Sequence, residues 1–113
     1  MSIEELEDLV RASADLFDAR WPGVEFLPGW GEVFAGLLDR CRRDRAPLIT
    51  KTKQKLGTMR VYFADQAHPI ARAIRQEAMR RSATICEVCG RPGTTVLITP
   101  GDVGTRCRDH KSD

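Results

Sequence analysis

Three cysteines and a histidine near the end of the chain follow the spacing C-x2-C-x17-C-x2-H, at Cys86, Cys89, Cys107 and His110. Structural zinc sites hold the ion in a tetrahedron of thiolate and imidazole ligands, and two residues between ligands let one tight turn deliver a pair of them. Gly90, directly after the first pair, suits a turn that needs a positive φ. The pattern therefore predicts a structural Zn²⁺ ion with four protein ligands and no open position for substrate.

The three cysteines and one histidine of this pattern are also compatible with chemistry other than zinc binding. A thioredoxin-like pair at Cys86 and Cys89 needs a strand before it and a helix after it, whereas here a helix is predicted before it and turn residues follow. Two disulfides would need an oxidising compartment. Unligated thiols, or three cysteines binding metal with water in place of His110, are the remaining alternatives.

The N-terminal sequence MSIEELEDL carries acids where a signal peptide needs basic residues followed by an apolar stretch. The apolar runs are far shorter than the ~20 residues that span a bilayer. We therefore expect a cytoplasmic protein with reduced thiols and no membrane contact.

Apolar periodicity predicts three helices. The first begins after Ser2, which forms a capping box with Glu5, and continues to about Arg20. The third begins at Pro69 and ends near Ala83. The second carries a stripe at helical spacing, made of Trp30, Val33, Phe34, Leu37, Leu38 and Cys41. This places Cys41 in the core, where a thiol is structural rather than nucleophilic.

Alternating patterns predict two β-hairpins. Residues 48–53 and 58–63 alternate around Gly57, and residues 94–99 form a β-branched run before the Pro100-Gly101 turn. A chain of 113 residues with 6% aromatic residues builds a modest core, so the metal is expected to replace a core in residues 84–113. The expected fold class is α+β: three helices with a β-hairpin in residues 1–83, followed by a zinc-ribbon-like, zinc-stapled hairpin in residues 84–113.

Charge is segregated along the chain although the formal net charge is only +2. Residues 1–34 hold eight acids and two bases, residues 35–81 hold twelve bases and four acids, and residues 82–113 are balanced. The acidic helix and the basic middle can pack together, or the acidic helix can bind a basic partner. Alternatively, the middle presents an anion-binding face, with Lys51, Lys53, Lys55, Arg60, Tyr62 and Arg72, joined by Arg42 and Arg43.

The sequence lacks G-x-S-x-G, H-E-x-x-H and phosphate-binding glycine motifs. Of its two histidines, one is a predicted metal ligand, and His68 precedes Pro69 at a helix start, where histidine commonly caps or is exposed. We therefore expect no enzyme and no small-molecule substrate.

Four segments together resemble a family of small, functionally uncharacterised bacterial and prophage proteins: GW at 29–30, TKTKQKLGTMRVYF at 50–63, SATICEVCG at 82–90 and RCRDH at 106–110. The family pattern has a Gly-Trp helix start, a K-x-K-x-G-x-L/M-R-x-Y hairpin and a C-terminal CxxCG zinc-ribbon-like segment. The resemblance covers roughly residues 29–110 and departs from the pattern at His110, where a second cysteine is expected. It implies an accessory protein of a prophage or toxin locus, and it singles out Lys53, Lys55, Arg60 and Tyr62.

These observations predict a small non-catalytic zinc-binding protein that acts as a protein-interaction module, such as an inhibitor or immunity protein whose partner is a toxin. The alternative is a nucleic-acid-binding accessory protein that uses the basic face of the first hairpin.

Overall fold

Three α-helices and two small β-sheets make up residues 1–111, the part of the chain that this computed structural model describes. The helices are α1 (Ile3–Ala12), α2 (Gly31–Arg43) and α3 (Pro69–Ser82). The first sheet has the order β1 (Val24–Glu25), β2 (Ile49–Lys55), β3 (Thr58–Phe63), and the second pairs β4 (Thr94–Thr99) with β5 (Asp102–Arg106). None of the helices in residues 1–111 is long and apolar enough to cross a bilayer. The expected α+β class with three helices is confirmed.

The hydrophobic core lies between α2, α3 and the inner face of the first sheet. Every residue of the predicted α2 stripe is buried, including Cys41, whose side chain is 2% exposed. Burial raises the pKa of the Cys41 thiol to about 11, so this cysteine is a core residue, as predicted. His68 caps α3, because its Nδ1 accepts the Ile70 N–H at 3.1 Å.

The predicted first hairpin is present as β2 and β3, which pair antiparallel. Met59, Val61 and Phe63 face the core, and the connecting turn places Leu56 and Gly57 at φ +55° and +82°. Residues 24–25 were not predicted as a strand, but they form β1, which pairs parallel to β2. A two-residue strand carries no periodicity of its own, and only its partner in β2 defines it.

The first helix is shorter than predicted: α1 ends at Ala12, and a 3-10 turn at Ala14–Leu16 follows. Phe17 is extended and bridges Ile49 in parallel, and its ring stacks on Trp21 with 3.9 Å between centroids. Packing against the sheet and the Trp21 ring therefore overrides the helical spacing that continues in the sequence.

The second sheet buries little apolar surface, and Leu97 is 66% exposed. Polar contacts attach it to the first hairpin: the Gln54 Nε2 amide donates to the Val103 carbonyl at 3.0 Å, and the Thr105 hydroxyl donates to the Gly57 carbonyl at 2.6 Å. Thr105 is fully buried at this junction. The predicted strand at 94–99 is present, and it is positioned by hydrogen bonds rather than by a core of its own.

We expect Ser82→Ala to lower the free energy of unfolding by about 1–3 kcal/mol, because a buried donor loses its partner. The Ser82 hydroxyl accepts the Met59 N–H at 2.7 Å and donates to the Ala78 carbonyl at 2.6 Å. Thr84→Ala is the control, since its exposed hydroxyl donates to the Arg81 carbonyl on the same helix end and its loss should stay within about 0.5 kcal/mol. Urea unfolding of both variants measures this, and equal losses would contradict the assignment.

Candidate metal centre

The four residues of the C-x2-C-x17-C-x2-H pattern converge in space. One ligand atom from each of Cys86, Cys89, Cys107 and His110 lies within 4.8 Å of all the others. The two sulfurs of Cys89 and Cys107 are 3.6 Å apart, and His110 Nδ1 lies 3.7 Å from the Cys86 sulfur and 3.1 Å from the Cys107 sulfur. This cluster can hold one metal ion.

The first ligand pair lies on a tight turn after α3. The Gly90 N–H donates to the Cys86 carbonyl at 2.9 Å, and the Cys86 N–H donates to the Arg91 carbonyl at 2.7 Å. Gly90 has φ +84°, as expected from its place after the pair. The chain reverses its direction within this turn, and Ile85 and Pro92 form an antiparallel bridge across it.

The second ligand pair is presented by a single 3-10 turn, Arg108–His110, that follows β5. The His110 N–H donates to the Cys107 carbonyl at 3.1 Å, which brings the ring back over the Cys107 sulfur. The β4–β5 hairpin therefore spans the distance between the two ligand pairs, as the spacing predicts.

Arg91 supplies positive charge to the cluster. Its Nε donates to the Cys89 sulfur at 3.5 Å, its Nη2 lies 3.8 Å from the Cys107 sulfur, and Nη2 also donates to Asp109 at 2.7 Å. The hydrogen bond from Arg91 lowers the pKa of the Cys89 thiol to about 6, whereas burial raises the pKa of Cys107. The Arg91 guanidinium thus favours the thiolate form of Cys89.

The first ligand turn is docked on the residues that open α2. The Gly29 N–H donates to the Glu87 carbonyl and the Trp30 indole N–H donates to the Ile85 carbonyl, both at 2.8 Å. A Cβ on Gly29 would meet the Cys86 oxygen at 2.4 Å, so only glycine permits this approach. The sequence marks Trp30 as a core residue but gives no sign of this second role.

Glu87 is a site residue that sequence reasoning missed. Glu87 is buried, and its carboxylate faces β5: Oε2 accepts the Thr105 N–H at 2.9 Å and Oε1 lies 3.4 Å from Arg106 Nη2. A Cβ on Gly104 would meet this carboxylate at 2.7 Å. An acid placed between two metal ligands in the sequence was the only signal, because its partners lie on β5 and come near it only in the fold.

The predicted anion-binding residues do not all lie on one surface, and Arg43 lies 3.7 Å from its neighbour Asp44. Five share the outer face of the first hairpin, opposite the buried side chains, and we call them the basic face: Lys51, Lys53, Lys55, Arg60 and Tyr62. Arg72 is exposed on α3. Arg42 instead pairs with Asp15, at 2.8 and 3.2 Å, so it joins the basic middle to the acidic N-terminal third.

Comparison with protein-family models, curated proteins and solved structures gives no match to this chain. The resemblance to small prophage proteins therefore stays a prediction.

We expect Gly29→Ala to detach the ligand turn from α2, because the new methyl group would overlap the Cys86 and Glu87 backbone. Hydrogen exchange should accelerate at the amides of Cys86 and Gly90, together with a loss of stability above about 1 kcal/mol.

Gly36→Ala is the matched control. An added methyl group there meets only the flexible end of Arg81, and the better helix propensity of alanine should stabilise α2 by up to about 1 kcal/mol. Unchanged exchange at residues 86–90 in Gly29→Ala would contradict the docking role.

Proposed function

We propose that Cys86, Cys89, Cys107 and His110 bind one structural Zn²⁺ ion. A tetrahedral zinc site, with Zn–S near 2.3 Å and Zn–N near 2.0 Å, has S···S edges of about 3.8 Å and S···N edges of about 3.5 Å. The separations of 3.6 Å between Cys89 and Cys107 and of 3.7 Å between Cys86 and His110 are close to these edges, whereas the 3.1 Å between Cys107 and His110 is shorter. Thiolate and imidazole donors in this geometry favour zinc, and reduced thiols are consistent with a cytoplasmic location.

The role of the metal would be structural, because four protein ligands close its coordination sphere. Three thiolates around Zn²⁺ leave one net negative charge, which the Arg91 guanidinium balances from its position beside two of the sulfurs. Zinc binding contributes on the order of 10–16 kcal/mol in small zinc peptides. That energy would replace the apolar core that β4 and β5 lack.

We further propose that the protein is a non-catalytic protein-interaction module. The supporting observation is an apolar groove of about 550 Å³ between α1 and the segment 21–28. Two of its apolar side chains are unusually exposed, with Ile3 at 58% and Leu27 at 42%. We call it the α1 groove, and its apolar lining is Ile3, Leu6, Val10, Trp21, Val24, Phe26 and Leu27.

Charge selects the partner of the α1 groove. Arg11 is the one cation of α1, and it pairs with Asp8. The exposed carboxylates Glu4 and Glu7 therefore stay available for ion pairs with a ligand. Glu7 lines the groove, as does Arg11, whose charge Asp8 balances. The complementary ligand is an amphipathic helix with apolar anchors on one face and Lys or Arg beside them. An inhibitor or immunity protein would act here by covering such a segment of its partner, for example a toxin.

The metal prediction is tested with protein reconstituted after chelation. We expect one equivalent of Zn²⁺ or Co²⁺, the visible d–d absorption of tetrahedral thiolate-bound cobalt, and loss of ordered amide signals in residues 84–111 after removal of the metal. Cys89→Ser should abolish the tetrahedral spectrum. Cys41→Ala should retain it, because Cys41 is buried in the hydrophobic core and does not belong to the cluster. Unchanged amide signals of residues 84–111 without metal would refute the structural role.

The α1 groove is tested with a designed amphipathic helical peptide of leucine and lysine, and with a second peptide carrying glutamate in place of lysine. Trp21 lines the groove and Trp30 is fully buried, so a fluorescence change on titration reports on the groove. We expect the lysine peptide to bind more tightly. Leu27→Ser should weaken its Kd by about tenfold or more, through lost apolar burial. Glu7→Gln should raise the Kd of the lysine peptide about two- to fivefold, because one exposed ion pair is lost.

Leu97→Ser is the control for this experiment, since Leu97 is an exposed leucine on β4 outside the groove. Equal binding of the two peptides, or an equal effect of Leu97→Ser and Leu27→Ser, would overturn the proposal.

A further inference from the structure

A second surface, separate from the α1 groove, collects cations and one aromatic ring. On the basic face, the register pairs Lys51 with Tyr62 and Lys53 with Arg60 across β2 and β3. Because the alternate residues of β3 are buried, these side chains all lie on the side of the sheet away from the core.

Like charges stand directly opposite one another at Lys53 and Arg60, an arrangement that destabilises a sheet. The carboxylate next to them is Glu25 on β1, 4.0 Å from Lys51 Nζ and opposite Lys53 in the parallel register. One exposed carboxylate does not balance this face. An anionic ligand would remove the repulsion.

The Tyr62 ring lies among these cations. Lys53 Nζ is 5.9 Å from the ring centroid, in the range of a cation–π contact, and the ring is only partly buried. Because Lys53 Nζ lies over this ring, a nucleobase would stack on Tyr62 by displacing the lysine side chain, whose ammonium would then meet a phosphate.

The basic face continues into a groove of about 220 Å³ between β3 and α3. Arg60 and Tyr62 form one wall, and Arg75, Gln76 and Met79 of α3 form the other. Arg72 is located four residues before Gln76 on the same side of the helix and extends this wall by one turn. Two guanidinium groups and an amide thus lie beside the tyrosine.

Side chains already use two backbone donors at the free edge of β3. The Met59 N–H donates to the Ser82 hydroxyl at 2.7 Å, and the Phe63 N–H donates to the Gln66 side-chain amide oxygen Oε1 at 2.6 Å. These two donors are not open to an added peptide strand, which makes strand addition at this edge less favourable. We therefore expect side chains to dominate recognition in this groove.

We infer that the basic face and the β3–α3 groove bind single-stranded nucleic acid. Lys53, Arg60 and Arg75 contact phosphates, and a base stacks on Tyr62. An acidic polypeptide would satisfy the cations but leave the ring without a stacking partner. A duplex keeps its bases stacked inside, so it would also gain nothing from the ring.

The test is fluorescence anisotropy of the intact protein with a short labelled oligo(dT), a labelled duplex and a labelled oligo-glutamate peptide. We expect oligo(dT) to bind most tightly, with an affinity that falls as salt rises. Tyr62→Leu should weaken binding by about 5- to 150-fold, the range of a lost base–aromatic stack, and Tyr62→Phe should restore most of it. Arg60→Gln and Arg75→Gln should each reduce the log–log salt slope by about 0.7.

Arg20→Gln is the control, because it removes the same charge from a side chain that is 95% exposed elsewhere on the molecule, and it should leave the affinity unchanged. Circular dichroism of each variant confirms that the fold is retained. Absence of oligo(dT) binding, equal binding of duplex or oligo-glutamate, or equal losses in Tyr62→Leu and Tyr62→Phe would overturn the inference. None of these results depends on the α1 groove.

Discussion

The contact between the first ligand turn and the start of α2 is the interaction on which the arrangement of the chain depends. Gly29 and Trp30 use one backbone and one indole N–H to bind two carbonyls of the turn, and Trp30 is at the same time fully buried in the core. The core and the candidate metal centre therefore share a residue. A shift of α2 would move Cys86 and Cys89, and a disordered ligand turn would leave a buried indole N–H without an acceptor, at a cost of about 1–3 kcal/mol.

A polar network holds the second sheet in position, whereas apolar packing holds the first. Thr105 binds the Gly57 carbonyl through its hydroxyl and the Glu87 carboxylate through its N–H. Buried polar groups fix geometry when every member is satisfied and destabilise it otherwise. The buried Nε of Arg106, whose Nη2 pairs with Glu87, has no hydrogen-bond partner in residues 1–111. The network therefore orients the hairpin on the first sheet at some cost in stability, and the four converging side chains provide a place where stability can be added.

The parts of this structure that sequence could predict are those whose cause is local. The two-residue ligand spacings, the α2 stripe and the alternation in β3 each need only neighbouring residues, and all three appear where expected. The predicted end of α1 was wrong because Phe17 stacks on Trp21 and bridges Ile49 instead of continuing the helix that the apolar spacing indicates. The role of Gly29 could not be predicted either, because the Cys86 and Glu87 backbone that excludes a Cβ there lies 57 and 58 positions later in the sequence.

Only some of the segregated charges of the chain pair with one another in the folded protein. Within residues 1–111, two ion pairs join the acidic N-terminal third to the basic middle, Arg42 with Asp15 and Lys51 with Glu25. Both pairs are largely exposed, so each contributes at most about 1 kcal/mol. Packing of the acidic N-terminal third against the basic middle therefore does not explain why an acidic helix lies beside an apolar groove, or why a basic sheet face lies beside a tyrosine. Keeping like charges together on separate surfaces costs a small domain some stability, which binding of an oppositely charged partner at either surface would recover.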